Sequence, residues 1–249
     1  MRVEVWSDIS CSWCFIGKAR FERALAAFPH REAVEVVYRS FELDPHLNQT
    51  RSTTGAAHAK KYGMTPAQAR DAEENLAAIA KEEGLEYLVD FRDHGNTFDL
   101  HRLLHLAAAH GVEDRLLTLF YDGNFAAKRS IYDSEHQVEL AVRSGLEEAE
   151  VRAVLADKRA YANKVRKDEA EAAQLGITGV PFFVIDRKYG VSGAQSAAAF
   201  TDVLRRAWTD REPELKVLGA ADQAGCDADG ACDVPRSASP DGTATTATS

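Results

Sequence analysis

The strongest constraint on how this chain can fold is Cys11-Ser12-Trp13-Cys14, two cysteines set between an apolar strand and the start of a helical pattern. Ahead of them, Arg2-Val3-Glu4-Val5-Trp6 places Val3 and Val5 on one face at the two-residue period of a strand. Behind them, Phe15, Ala19, Phe21, Leu25 and Phe28 recur at helical spacing until Pro29-His30 stops the ladder, which predicts a helix from about Ser12 to Phe28. Cys11 then caps a helix N-terminus, where unpaired N–H groups and the helix dipole favour an anion. A thiol in that setting ionises more readily and attacks disulfides, so Cys11 is the expected nucleophile. Cys14, one turn later and pointing inward, is the expected resolving thiol that collapses the mixed disulfide. The same spacing supplies half of a zinc site. The strand-then-helix context favours redox chemistry.

The next stretch, Ala33 to Arg39, is rich in β-branched residues and reads as a second strand, which makes a parallel βαβ unit with a right-handed crossover. Phe41-Glu42-Leu43-Asp44-Pro45 leads into a polar connection. From Gly55 to Leu175 the pattern is helical, with about six helices expected. Thr65-Pro66-Ala67-Gln68 is a capped helix start and Gly84 its stop; Asn96-Thr97 opens another, and Ser134 to Gln137 reads as a second capping box. The sheet then resumes. Phe182-Phe183-Val184-Ile185 fits a strand buried on both faces, Asp186 to Gly190 a turn, Val191-Ser192 a returning strand, and Gln195 to Trp208 a last helix.

Acidic residues outnumber basic ones, 39 to 30, for a net charge of −9. A duplex-binding surface needs a basic stripe, so no nucleic-acid partner is expected. No stretch approaches the ~20 apolar residues that span a bilayer. The N-terminus shows no basic region followed by an apolar run, and a soluble, cytoplasmic protein without a membrane partner is expected. Four cysteines in two close pairs fit cytosolic redox or metal chemistry better than a secreted disulfide scaffold.

Taken together, Asp8-Ile9-Ser10-Cys11-Ser12-Trp13-Cys14, Phe41 to Pro45, Asn96-Thr97, Gly179-Val180-Pro181-Phe182-Phe183 and Ser192 to Gln195 resemble the FrnE-like branch of the DsbA family. The resemblance covers residues 1 to about 208. It implies a thioredoxin-like α/β fold, β-α-β … β-β-α, with an all-helical domain inserted. The expected division is 1–54 with 176–210 as the thioredoxin-like part, 55–175 as the insertion, and 211–249 as a flexible tail. It further implies that Pro181 is cis and faces the cysteine pair, so that the backbone of Val180 pairs with an extended substrate segment. Trp13, between the thiols, is a further candidate for substrate contact. The family commonly has proline after the first cysteine; here it is Ser12.

Asp8 is a candidate proton acceptor for Cys14, as a carboxylate of raised pKa; a solvated loop aspartate is the alternative. His101 and His105 share a helix face, but without a third ligand ordinary packing is expected and no metal. Cys226 and Cys232 lie in an Ala/Gly/Asp-rich tail with nothing to pack against, and are proposed as a second redox pair or, on the bland reading, as free thiols.

The function that follows is thiol–disulfide exchange, reducing or isomerising disulfides in proteins or small molecules, with a thiol reductant as partner. No bound cofactor is expected, and glutathione enters only as a co-substrate. Two rivals stand beside it. Hydroxychromene-carboxylate isomerases and kappa-class glutathione transferases resemble the same architecture but typically carry serine at the position of Cys11. A zinc-binding, chaperone-like protein would use all four cysteines.

Overall fold

The computed structural model describes residues 1–47, 52–90 and 92–211. Its central strand, β1 (Arg2–Ser7), is buried at every position but the first. The reason is a neighbour on each side. β2 (Glu35–Ser40) runs parallel to it, from Arg2 opposite Glu35 to Ser7 opposite Ser40. β5 (Phe182–Ile185) runs antiparallel, with Trp6 opposite Phe182 and Val3 opposite Ile185. β6 (Tyr189–Ser192) pairs antiparallel with β5 and completes the order β2-β1-β5-β6. Asp186 and Arg187 take left-handed φ values of 47° and 56° to turn the chain between them. This is the thioredoxin-like α/β arrangement expected.

Helix α1 (Ser12–Ala26) forms the crossover from β1 to β2 and packs against the last helix, α9 (Ala197–Thr209). Phe21 of α1, Phe183 of β5 and Phe200 of α9 meet with ring centroids 4.6–5.5 Å apart, locking this layer onto the sheet. α1 stops two residues short of Phe28, because the chain turns at Ala27.

Between β2 and β5 come α2 (Thr54–Tyr62), α3 (Pro66–Glu82), α4 (Phe98–Ala109), α5 (Glu113–Phe125), α6 (Ser134–Ser144), α7 (Glu148–Ala156) and α8 (Ala162–Gln174). That is seven helices among the described residues where the pattern suggested about six. Thr65 and Gln68 form the reciprocal cap that opens α3. At α6 the cap is one residue earlier than expected: Asp133 accepts from the backbone N–H groups of Glu135 and His136, leaving Ser134 inside the helix. α8 begins at Ala162, directly after Tyr161 in a left-handed conformation (φ 59°). The pair β3 (Ser52–Thr53) and β4 (Asp93–His94) is too short to leave a signal in the sequence.

Buried apolar residues of α4, α5 and α6, among them Leu100, Leu116, Phe120 and Leu140, share one core with Val3, Val5 and Phe15. The helices therefore press on the sheet side of the cysteine pair. Arg102 of α4, fully buried, ties that helix to α7 and the segment after it by donating to the carbonyls of Val154, Asp157 and Ala160 at 2.5–3.1 Å. Cys226 and Cys232 lie outside the described residues.

Candidate active site

Cys11 is the N-cap of α1. Its extended backbone (φ −87°, ψ 111°) leaves the sulfur facing the first turn, where Sγ accepts from the backbone N–H of Cys14 at 3.3 Å. An N–H aimed at sulfur, together with the helix dipole, stabilises negative charge there. Both cysteines are free thiols. Cys14, 2% exposed, lies beneath Cys11, and burial pushes its thiol well above the ordinary cysteine range, reinforced by Cys11 and only partly offset by a hydrogen bond from the Asp8 backbone. The two thiols are thus chemically unequal.

A second loop closes over them. The Val180–Pro181 peptide bond is cis, and the Cys11 thiol donates to the Val180 carbonyl at 3.6 Å. Pro181 is seated against α1 at Gly17. A Cβ added there would stand 3.0 Å from Pro181 Cγ and 3.3 Å from Ala194 Cβ, so any larger residue would make the loop give way by a few tenths of an ångström. Trp13, by contrast, is 43% exposed, an unusual place for an indole.

Asp8 is 1% exposed rather than solvated. Its Oδ2 accepts from Leu43 N–H at 2.7 Å and its Oδ1 from Ser10 N–H at 3.2 Å, with His101 Nε2 3.6 Å away. Burial pushes the carboxyl up, but His101 and the two backbone donors outweigh it and hold Asp8 below the usual carboxylate range. The expectation of a raised pKa is therefore corrected: Asp8 is a held anion. His101 itself is 1% exposed, and neither ring nitrogen has a hydrogen-bond partner.

Ser12, 7% exposed, is not a passive spacer. Its hydroxyl meets Tyr87 Oη at 2.8 Å. Tyr87 donates in turn to Glu73 Oε2 at 2.7 Å and accepts from Arg92 Nη2 at 2.9 Å, while Arg92 and Glu73 form a buried ion pair. Phe125 stacks on Phe15 (5.0 Å) and on Tyr87 (5.4 Å), and Asn124 Nδ2 donates to the Ile9 carbonyl at 2.9 Å. The helices of the insertion thus build one wall of the site.

This geometry has relatives. The family described as the DSBA-like thioredoxin domain matches residues 2–205. The chain belongs to that family. Among solved structures, a probable DsbA oxidoreductase of Streptomyces coelicolor is 59% identical, with a TM-score of 0.84 over 94% of this chain and 99% of that one. A cytosolic disulfide reductase, DsbM, of Pseudomonas aeruginosa with GSH has a TM-score of 0.60 at 15% identity, covering 84% of this chain and all of that one. A 2-hydroxychromene-2-carboxylate isomerase has a TM-score of 0.59 at 12% identity, covering 83% of this chain and 95% of that one. The last two show a shared fold. Family and neighbours support a thiol–disulfide oxidoreductase in the general sense.

The residues that sequence reasoning did not name arrive from the insertion: Tyr87, Glu73, Arg92 and Asn124. His101 and His105 were assigned to ordinary packing. Each is buried and faces a carboxylate, His101 that of Asp8 at 3.6 Å and His105 that of Asp168 at 3.2 Å. Among the described residues no group of three His, Cys, Asp or Glu side chains is arranged to hold a metal ion. No described helix is long and apolar enough to cross a membrane.

Proposed function

We propose that this protein reduces or isomerises disulfides in proteins or small molecules, with Cys11 as the attacking thiolate and Cys14 as the resolving thiol. The observation that carries the reading is the asymmetry of the pair. The Cys11 sulfur lies at the start of α1 beneath a backbone N–H, and the Cys14 sulfur is buried with its thiol pushed up. In the first step Cys11 attacks a substrate S–S bond, a new S–S bond joins Cys11 to substrate, and one substrate sulfur leaves as a thiol. In the second, Cys14 attacks Cys11 Sγ and the second substrate thiol leaves. Two electrons pass to the substrate, and Cys11–Cys14 becomes the disulfide. A thiol reductant returns it to the dithiol, and glutathione is the reductant we assign. The compartment is the cytoplasm, where thiols are kept reduced.

Val180 and Pro181 form the shelf beside Cys11, and Trp13 offers an exposed apolar surface next to it. An extended chain laid along Val180 would bring its disulfide to the sulfur. Retention of thiols at both positions speaks against an isomerase of the hydroxychromene-carboxylate type, which the shared fold alone does not require. In the FrnE-like placement, Ser12 takes the position of the common proline, and its bond to Tyr87 ties the thiol pair to the insertion.

Equilibration in glutathione redox buffers tests the assignment. The Cys11–Cys14 disulfide should form and vanish as a two-electron couple, with a midpoint above a cytosolic glutathione poise, so that the dithiol persists there. A pair that stays dithiol in fully oxidised glutathione, or that binds zinc stoichiometrically when purified reduced, would refute it.

A further inference from the structure

Pro181 is held from two sides. On one it rests against α1 at Gly17, where Ala194 is the other near neighbour. On the other its carbonyl accepts from the Gly193 N–H at 2.9 Å, just past the end of β6. Gly193 turns the chain there with a φ of 79°, a left-handed value that favours glycine. The Ala194 carbonyl lies beyond the β5–β6 ladder and accepts from Arg20 Nη1 at 2.8 Å. Arg20 stands three residues after Gly17, on the same face of α1. Its Nε donates to Glu83 Oε1 at 2.6 Å, and Glu83 is the C-cap of α3 in the insertion.

Glu83 sits where a carboxylate is least welcome. The C-terminal end of a helix carries partial negative charge, so the dipole opposes an anion there. Two arginines of α1 offset that cost, Arg20 taking one carboxylate oxygen and Arg23 the other. They differ in exposure and in reach. The Arg20 side chain is 19% exposed and bonds both Glu83 and Ala194; that of Arg23 is 55% exposed and, among the described residues, bonds Glu83 alone. A guanidinium is planar with its donors at fixed angles, so bonds from Nε and Nη1 together fix the direction in which Ala194 is held.

We propose that Arg20 positions the Val180–Pro181 shelf beside Cys11 for an extended substrate, and that Glu83 holds Arg20 in place for it. This deepens the function proposed above and rests on Cys11 as the attacking thiol. Each link from insertion to thiol is a hydrogen bond or a chain neighbour: Glu83 to Arg20, Arg20 to Ala194, Gly193 to Pro181, and Val180 to Cys11 Sγ at 3.6 Å. Arg20 touches neither sulfur and is a positioning residue. Without it the Ala194 carbonyl loses its side-chain donor, and the shelf is free to move off Gly17, where Pro181 and Ala194 pack. A substrate backbone laid along Val180 then meets its partner groups out of place. A disulfide too short to reach them meets the same thiol as before.

The test follows single turnovers of the reduced full-length chain, acid-quenched, with the Cys11–Cys14 disulfide counted by peptide mass spectrometry. One substrate is a disulfide-bonded peptide; the other is bis(2-hydroxyethyl) disulfide, which has no backbone to pair. In Arg20→Gln the half-saturating peptide concentration should rise about tenfold, the scale of one or two lost backbone pairings, with the limiting rate within about twofold of the parent. The rate with bis(2-hydroxyethyl) disulfide should stay at the parent value. Glu83→Gln should show the same pattern at smaller amplitude, and decides alone if Arg20→Gln does not fold. Arg23→Gln, which breaks an ion pair to the same carboxylate, should leave the peptide half-saturation unchanged. An unchanged half-saturation in Arg20→Gln, equal losses with both substrates, or an Arg23→Gln effect as large as that of Arg20→Gln overturns the role of Arg20 and leaves the thiol chemistry standing. A parent that oxidises Cys11–Cys14 with neither disulfide overturns the thiol assignment itself, and the shelf with it.

Discussion

Replacing Tyr87 by phenylalanine removes one oxygen and nothing else, which makes its cost calculable. That oxygen joins Ser12, Glu73 and Arg92 at 2.7–2.9 Å. The Ser12 link is a neutral hydrogen bond worth about 1 kcal/mol net; those to Glu73 and Arg92 involve charges and run to about 1.5–3 kcal/mol each in favourable settings. Glu73 and Arg92 keep each other after the change, so the loss falls well below that sum, at about 2–4 kcal/mol. In a chain of this size that lowers Tm by roughly 5–15 °C. Ser12→Ala alone should cost about 1 kcal/mol, and the double variant should fall short of additivity by about 0.5–1.5 kcal/mol, because both remove the same bond. Urea denaturation of the four proteins gives the cycle. The glutathione midpoint of the Cys11–Cys14 couple should move together with the coupling, since Ser12 lies between the thiols. Strict additivity with an unchanged midpoint would show that the insertion does not reach the thiol pair through Ser12.

Three further outcomes are expected. Gly17→Ala gains about 1 kcal/mol of helix propensity but places a Cβ 3.0 Å from Pro181 Cγ; stability should change by less than about 2 kcal/mol while disulfide exchange slows severalfold, and a full gain in stability at the parent rate would show slack in the Pro181 shelf. Glu113, pushed up to about 7 by burial and by the charges of Asp168 and Asp114, is protonated in the folded state at pH 5–6 where the unfolded chain is already ionised. Its contribution is present below about pH 4.5 and lost as pH rises through 7. Glu113→Gln should therefore match the parent at pH 4 and exceed it by about 1–2 kcal/mol at pH 8, read by urea denaturation; equal stability at both would contradict the shift. Trp13→Ala should raise KM for a disulfide-bonded protein about tenfold, equivalent to about 1.4 kcal/mol of lost contact, and leave the rate with oxidised glutathione unchanged; equal losses on both would place Trp13 in the chemistry instead of in substrate contact.

The elements that were legible in the sequence are those whose signal is local. Cys11, Cys14 and the flanking strand and helix are written within a few residues of one another, and the apolar run of β5 announces a buried strand. Pro181 was legible as a motif. The illegible part is the wall behind the thiols. Nothing near Ser12 points to Tyr87, and nothing near Asp8 points to His101; those contacts exist because the seven-helix insertion folds back over α1. Without that partner Asp8 reads as a loop residue or a raised carboxyl, whereas Leu43 N–H and Ser10 N–H bind it as an anion. Two-residue strands and a left-handed Tyr161 leave no periodic trace either.

The central claim, that Cys11 attacks and Cys14 resolves, is tested most directly by trapping. The reduced Cys14→Ser variant is incubated with a disulfide-bonded peptide at pH 7, and the adduct is mapped by mass spectrometry beside Cys11→Ser treated identically. The account predicts a stable mixed disulfide on Cys11 in the first variant and no adduct on Cys14 in the second, because Cys14 is buried and holds its proton. Comparable adducts on both thiols, or an adduct on Cys14 alone, would contradict it.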